Sequence, residues 1–267
     1  MTEAVVRYSV FTKPWRELPI PRLAAMVRRW GFDGVELPVR PGYQAPPEQV
    51  GQALPLAARQ FAAEGLTIYS VAGPADEATI AACAEAGVST IRVMAPVREG
   101  EGYLAAEARL QREYDALLPL LERYSVALGV QNHCDRFVTN ALGLMRLIGR
   151  YDPTQIYAVW DAAHEALNGG LPEYALDVAW SHLRMVNLKN AFWQRVNGPE
   201  AECAQWRHYW TSGRHGLACW PRVVAELKRR GYGGVICLTA EYSDESLVES
   251  LIARDLAYAR ALFAQPA

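Results

Sequence analysis

The chain has 267 residues, of which 51% are hydrophobic and 21% charged, and its 27 Lys and Arg nearly balance 29 Asp and Glu to leave a formal net charge of -2. Neither sign forms a long run, which argues against the basic surface that binds a phosphate backbone, so we expect no nucleic-acid partner. The apolar runs are shorter than the roughly 18 to 20 residues of a membrane span, and the first residues lack a signal-peptide pattern. We therefore predict a cytoplasmic protein without a membrane partner.

The five cysteines are widely spaced and include no C-x-x-C pair; they are Cys83, Cys134, Cys203, Cys219 and Cys237. A disulfide framework or a zinc knuckle is therefore not expected, and a reducing compartment is consistent with this pattern. We interpret most of these residues as small buried hydrophobes. Cys134 is the exception, because it follows a cluster of polar residues.

Short apolar or β-branched runs alternate with longer segments of helical period along the whole chain. The predicted strands span residues 6–12, 34–39, 67–73, 90–96, 127–133, 156–162, 183–190 and 234–242. Several of the helical patterns between them end at a glycine, where a left-handed C-cap belongs. Eight units in 267 residues leave about 33 residues for each, the size of one strand, one helix and two loops.

Apolar strands that are each followed by a helix indicate a parallel sheet covered by helices. Eight such units predict an α/β fold of the closed (β/α)8 TIM barrel type, with a single domain over residues 1–267. No G-x-G-x-x-G turn precedes the first helix, which argues against a dinucleotide-binding sheet.

One long connection, residues 191–218, lies between the seventh and eighth strands and is predicted to be irregular. A loop of this length in a compact domain is usually functional, often as a lid over a site, and we predict that its Trp193 and Arg214 contact the substrate. The alternative is a contact at the rim or between the subunits of a homodimer, which its many aromatic residues would suit.

Polar residues lie at the carboxyl ends of the predicted strands five to eight, where active sites of this fold lie. They are Gln131, Asn132 and His133, then Asp161 and His164, then Asn187 and Lys189, and finally Glu241. Each alone has a structural explanation in a backbone hydrogen bond or an ion pair. Their convergence indicates a ligand or metal site, because burying so many polar groups would otherwise be costly. Glu36 and Arg40 after strand two could also reach this site, although a glutamate at position 36 is more often a structural hydrogen-bonding residue.

Five segments resemble the landmarks of the xylose isomerase-like TIM barrels, the sugar phosphate isomerase/epimerase group, in order along essentially the whole chain. They are GFDGVEL (31–37), GVQNHC (129–134), WDAAH (160–164), LRMVNLKN (183–190) and GYGGVICLTAEY (231–242). The resemblance implies a small-molecule sugar or polyol substrate, and dimers are common in the group.

The resemblance also implies a divalent metal, held in that family by Glu, Asp, His and Glu at the ends of strands five to eight. By position these ligands fall on Gln131, Asp161, Asn187 and Glu241, so two of the four are amides here. The site would carry a charge of -2 instead of -3, and the loss of the imidazole would favour Mg, Mn or Ca over Zn. His133 or His164 could serve as ligands instead.

In the sugar epimerases of this family two glutamates exchange protons with a carbon next to a carbonyl. Gln131 cannot accept a proton, which leaves Glu241 as the predicted carboxylate base, with Lys189, His133 and His164 as the other catalytic candidates. Lys189 could polarise a substrate oxygen, receive a proton, or replace a metal by pairing with Asp161 or Glu241. The candidates for substrate binding are Gln131, Asn187, Asn190, Glu36, Trp193 and Arg214.

The sequence thus favours a sugar or sugar-phosphate isomerase or epimerase with an altered metal site. Two alternatives remain open: a non-catalytic sugar-binding barrel that has lost the metal, and a lyase that eliminates a group from a keto-sugar. DNA repair of the AP-endonuclease type on the same fold would need a His-rich zinc site and a basic groove, and five His with a net charge of -2 argue against it.

Overall fold

The computed structural model describes residues 5–265, so both ends of the predicted domain lie outside the described part. The strands are Arg7–Phe11 (β1), Gly34–Pro38 (β2), Thr67–Ala72 (β3), Thr90–Met94 (β4), Ala127–Gln131 (β5), Ile156–Asp161 (β6), Leu183–Leu188 (β7), Asn190–Arg195 (β8), Trp206–Thr211 (β9) and Val235–Leu238 (β10). Strands β1 to β7 pair in chain order, and β10 pairs in parallel with both β7 and β1, which closes the barrel. The predicted TIM barrel is confirmed, and all eight predicted barrel strands are present.

The helices surround this barrel. They are Ile20–Trp30 (α1), Val50–Ala63 (α2), Glu77–Glu85 (α3), Tyr103–Tyr124 (α4), Ala141–Ile148 (α5), Ala162–Leu167 (α6), Pro172–Ala179 (α7), Trp220–Arg229 (α8) and Val248–Ala264 (α9). Each buries an apolar stripe against the strands; in α1 this stripe consists of Leu23, Ala24 and Val27, none of which is exposed. Within residues 5–265, no helix is long and apolar enough to cross a membrane.

The interior of the barrel below the mouth is filled with side chains. Tyr157, Val159 and Met185 pack there with smaller residues, and Phe11 joins this cluster to the mouth. Gly129 on β5 makes room for this layer, since a Cβ atom at this position would lie 2.7 Å from Val159. Open space is therefore confined to the mouth, where the carboxyl ends of the strands lie.

The segment 191–218, which the sequence predicts to be irregular, contains an antiparallel β-hairpin of β8 and β9. The hairpin begins at Asn190, and Lys189 alone separates it from β7. Its strands are joined by aromatic cross-strand contacts, such as the stacked rings of Phe192 and Tyr209 at 5.1 Å. The length of this segment alone suggests a loop, but its aromatic residues pair across two strands.

Candidate active site

A small cavity of about 100 Å³ lies at the mouth of the barrel. We call it the mouth cavity, and it is lined by Phe11, Lys13, Arg40, Arg92, Met94, Gln131, His133, His164, Asn187, Thr239 and Glu241. Five barrel strands contribute to it directly or through the next residue, and the segments after β2 and β6 add Arg40 and His164, which is the expected position for an active site in this fold.

Asp161 ends β6 and is fully buried behind the cavity wall. One of its carboxylate oxygens accepts hydrogen bonds from the backbone N–H groups of Ala163 and His164 at 3.0 and 3.1 Å, so this residue caps α6. The other oxygen accepts from the Gln131 amide at 2.8 Å. Burial raises the pKa of Asp161 to about 6 despite the opposing effect of Lys189. Both carboxylate oxygens are thus already engaged by protein groups.

Arg92 on β4 lines the mouth cavity, and its side chain is only 6% exposed. It pairs with the fully buried Glu36 through two hydrogen bonds of 2.9 and 2.8 Å and donates a third, of 2.6 Å, to the side-chain oxygen of Gln131. Ser70 donates to the same glutamate at 2.9 Å. Glu36 therefore acts on the site by neutralising and orienting a buried guanidinium.

Glu241 extends into the mouth from the turn that follows β10. The preceding Ala240 has φ 53°, a left-handed conformation that is rare outside glycine and that accompanies the change in chain direction here. Lys189 donates to one carboxylate oxygen of Glu241 at 2.6 Å, and Lys13 donates to the other. These two ammonium groups outweigh burial and hold the pKa of Glu241 far below its usual range.

Asn187 lines the mouth cavity with a fully buried side chain, and neither its amide nitrogen nor its oxygen has a hydrogen-bond partner. An unmet buried amide typically costs about 1 to 3 kcal/mol per group. A polar group of this kind calls for a ligand or a water molecule that supplies the missing partners.

The ring centroids of His133 and His164 lie 3.9 Å apart, and the two rings carry their protons on different nitrogen atoms. The Nδ1 atom of His133 is 2.9 Å from the Cys134 carbonyl oxygen, which requires a proton on Nδ1 and leaves the Nε2 lone pair free in the neutral ring. The Nδ1 atom of His164 accepts from the backbone N–H of Cys134 at 3.1 Å, which places the proton of this ring on Nε2. Burial lowers the pKa of both histidines, so both are neutral at pH 7.

The β8–β9 hairpin borders the mouth. Trp210 on β9 places its ring 3.5 Å from the Lys189 ammonium and 5.3 Å from the His164 ring. His208 on the same strand binds both carboxylate oxygens of Asp135 at 3.0 and 3.1 Å. Asp135 itself has φ 69°, so the loop after β5 adopts a strained conformation where it meets the hairpin.

The structure separates the predicted site residues into two groups. Gln131, His133, His164, Asn187 and Glu241 line the mouth cavity, Lys189 binds Glu241, and Asp161 lies directly behind Gln131.

The other substrate-binding candidates lie outside the cavity lining. Asn190 is engaged by backbone groups, since it donates to Gly213 and Ala218 at 2.9 Å and accepts from Ala191 and Ala218. Arg214 stacks over Tyr258 of α9, Trp193 donates to the Leu167 carbonyl, and Glu36 is held by Arg92 and Ser70. None of these four residues lines the mouth cavity, and their contact with a substrate stays a prediction.

The four positions that the family resemblance assigns to a metal do not fit a divalent ion. Gln131 gives its oxygen to Arg92 and its nitrogen to Asp161, and both oxygens of Glu241 are held by ammonium groups. An ion between them would also face the positive charges of Lys13, Lys189 and Arg92. The third role that the sequence leaves open for Lys189, pairing with Asp161 or Glu241 in place of a metal, matches the observed contact with Glu241.

Two other groups of donor atoms lie within 4.8 Å of one another among residues 5–265. They are His133, Cys134 and His164, and Cys134, Asp135 and His208. Burial raises the pKa of the shared Cys134 thiol to about 12, so an ion at either place would first have to displace its proton. These groups offer nitrogen and sulfur donors, which suit softer ions than the predicted quartet does.

Sequence reasoning overlooked Arg92, Lys13, Met94 and Thr239. Lys13 lies two residues after β1, so the strand-end rule that identified Glu241 could also have found it. Arg92 lies inside an otherwise apolar strand, and an arginine in a strand covered on both faces is itself a signal for a buried charge partner. Which partner it binds could not be read from the sequence.

Comparisons with known proteins agree with this architecture. The profile of a family described as xylose isomerase-like TIM barrel matches residues 24–262. Among curated proteins, no sequence matches the chain.

Several solved structures superpose over nearly the whole chain. D-psicose 3-epimerase from Clostridium cellulolyticum H10, in a structure with D-tagatose, has a TM-score of 0.72 at 12% identity and covers 96% of this chain and 99% of its own. The 3-keto-D-glucoside 4-epimerase of E. coli has a TM-score of 0.71 at 13% identity, with 96% and 99% covered. A probable 3-DHS dehydratase from Bacillus anthracis has a TM-score of 0.69 at 13% identity, with 94% and 98% covered. At such identities these likenesses show a shared fold.

Proposed function

Because the chain belongs to the xylose isomerase-like TIM barrel family, we propose that it is a sugar-processing enzyme that moves a proton next to a substrate carbonyl. The substrate is a small sugar or polyol derivative, bound at the mouth cavity, and the reaction is an isomerisation or epimerisation. The epimerases and the probable dehydratase among the structural neighbours support this class of chemistry without identifying the substrate.

The unpartnered Asn187 amide is the observation that carries this proposal. A carboxamide presents one donor and one acceptor side by side, and a carbonyl next to a hydroxyl presents the complementary pair. A sugar with this group would satisfy both buried atoms at once. An apolar ligand would leave them unpaired.

His133 is the proton acceptor in this proposal. The residue lines the cavity, and its Nδ1–H is used by the Cys134 carbonyl. Because the ring is neutral at pH 7, the Nε2 lone pair is free to accept a proton. As His133 takes the proton from the carbon next to the carbonyl, the C–H electron pair forms a C=C bond and the carbonyl π pair moves to the oxygen. Return of the proton from His133 to the former carbonyl carbon gives an isomer, provided that the neighbouring hydroxyl passes its hydrogen to the negative oxygen and becomes the new carbonyl. Return of a proton from water to the opposite face of the first carbon gives an epimer.

The negative oxygen formed in this step needs positive charge nearby. Lys13 and Lys189 converge at Glu241 and supply two ammonium groups, and the neutral His164 presents its Nε2–H as a further donor. The protein's own cations thus replace the charge that a metal would supply at the quartet.

This assignment gives Glu241 a role other than the base that the sequence favours. A carboxylate held by two ammonium groups has a strongly lowered pKa and is a poor proton acceptor. In the proposal Glu241 positions Lys13 and Lys189. A cytoplasmic location and a homodimer stay predictions.

The experiment that tests the proposal is solvent proton exchange. Ketoses, aldoses and keto-sugars are incubated with the protein in D2O, and deuterium incorporation next to the carbonyl is followed by NMR. We expect exchange with at least one substrate after treatment with EDTA, and a loss of about 10² to 10⁴ in rate for His133→Asn.

The Glu241→Gln variant separates the two candidate bases. If Glu241 only positions the lysines, this variant keeps the acid limb of the pH–rate profile that His133 produces, although at a lower rate. Disappearance of that limb would return the base role to Glu241. Binding of sugars without exchange for any substrate would support the alternative of a non-catalytic sugar-binding barrel.

A further inference from the structure

A second, larger cavity of about 480 Å³ adjoins the mouth cavity. Arg40, Arg92 and Met94 line both, so the two spaces meet at these residues. We call the larger space the side groove. It lies where the loops after β2, β3 and β4 meet the loop after β5.

The mouth cavity alone is too small for an ordinary ligand. Its volume of about 100 Å³ falls below the roughly 300 to 1,000 Å³ of typical small-molecule sites, whereas the side groove falls within that range. A substrate whose reacting end occupies the mouth cavity must therefore extend into the side groove.

The wall of the side groove is largely apolar. Val39, Pro41, Pro74, Phe137 and Met94 contribute to it, and the prolines offer no backbone N–H for hydrogen bonding. Hydroxyl groups placed against such a wall would lose their water without gaining partners. The groove therefore suits an apolar, flat substituent better than a second sugar ring.

Arg40 stands at the junction of the two cavities. Its side chain is half-buried, and in the part of the chain that the structure describes it makes no ion pair; its guanidinium lies 5.6 Å from the Phe11 ring centre. A free guanidinium here offers donors to an oxygen that joins a sugar to its substituent, and its flat face can stack on an aromatic ring.

We propose that the side groove is a subsite for an apolar aromatic substituent, so that the substrate is a sugar carrying an aglycone. This inference rests on the proposed function and adds the substrate class. A substituent on the anomeric carbon removes the free aldehyde, so the carbonyl that undergoes proton transfer would be a ketone on the sugar ring.

The test compares two probes that differ in the substituent alone, the 4-nitrophenyl and methyl β-D-glucosides oxidised to the ketone at C3, by titration calorimetry on the full chain. We expect the aryl probe to bind at least about tenfold more tightly. Pro74→Trp, which places a large side chain in the groove, should remove this difference and leave the affinity for the methyl probe unchanged. Pro153→Trp, a half-exposed position outside both cavities, is the matched control.

Pro41→Trp is a second blocking variant at an exposed position of the groove, in case Pro74→Trp unfolds. Equal affinity for the two probes, failure of both to bind, or an aryl preference that survives both blocking variants would overturn the subsite. Proton exchange in D2O is measured independently of binding. Absence of exchange with every substrate would overturn the proposed function even if the aryl probe bound more tightly.

Discussion

Arg92 donates a hydrogen bond of 2.6 Å to the side-chain oxygen of Gln131. The residue at the family's first ligand position therefore binds a guanidinium instead of a metal ion. The Gln131 nitrogen donates in turn to Asp161 at 2.8 Å. A glutamate at position 131 could keep the contact with Arg92 but would place its second oxygen against the Asp161 carboxylate. The amide joins a buried cation to a buried carboxylate without this repulsion.

Placing the family ligands at these positions is expected to create an ion site, because a cation bound between the carboxylates at positions 131 and 161 would relieve their repulsion and compete with Lys13 and Lys189 for Glu241. The double change Gln131→Glu and Asn187→His raises the formal negative charge of the quartet from two to three and adds an imidazole. We expect the affinity for Mn²⁺, measured by calorimetry, to rise at least about tenfold over the unchanged protein, because carboxylate and nitrogen donors bind such ions better than amides. Gln131→Met with Asn187→Leu is the control of similar size; no gain in the first variant would show that the strand-end alignment does not place a metal site here.

Loss of one member of the buried pair of Arg92 and Glu36 should destabilise the protein more than loss of both charges. Arg92→Met leaves a fully buried carboxylate without its cation and is expected to lower the free energy of unfolding by about 3 to 5 kcal/mol. Adding Glu36→Gln removes the uncompensated charge and should recover a substantial part of that loss. Urea unfolding of the single and double variants measures both effects, and strictly additive losses would contradict the coupling.

Asp161 should make stability depend on pH in the direction opposite to a salt-bridged carboxylate. Its folded-state pKa is about 6 against an ordinary 3.8, so the folded chain binds the proton more tightly than the unfolded chain between these values. Stability is then lost as the pH rises through this window, by ~3 kcal/mol.

The measurement compares Asp161→Asn with the unchanged protein. The asparagine does not titrate, so the free energy of unfolding of the variant relative to the parent should rise between pH 4 and pH 7. The same change at the exposed Asp244 controls for the removal of one negative charge. A relative stability that is flat over this range would mean that Asp161 is not desolvated as its burial indicates.

The hairpin should contribute to the site through Trp210. Trp210→Ala removes the ring that lies 3.5 Å from the Lys189 ammonium and packs against His164, so both groups lose a contact that holds them in place, and we expect the exchange rate to fall roughly tenfold. Trp206→Ala, on the same strand and 57% exposed, should change it little. Equal effects of both changes would indicate that the hairpin acts through its overall stability.

The strand and helix periods of the sequence were sufficient to predict the barrel. Apolar runs at regular spacing can be buried on both faces only in a helix-covered parallel sheet, and this topology places the residue after each strand at one end. For this reason the neighbourhood of Gln131, His133, Asn187 and Glu241 was predictable before any contact was known.

Tertiary structure decided which partners these residues have. Arg92 reaches Glu36 across 56 positions of sequence, and Lys13 reaches Glu241 across 228, and no local pattern encodes such pairs. Whether a strand-end carboxylate binds a metal or a lysine depends on the cations that other strands bring to the same cavity. The side chains present at the mouth follow from the sequence, but the charges that surround each of them, and hence their chemistry, follow from closure of the barrel.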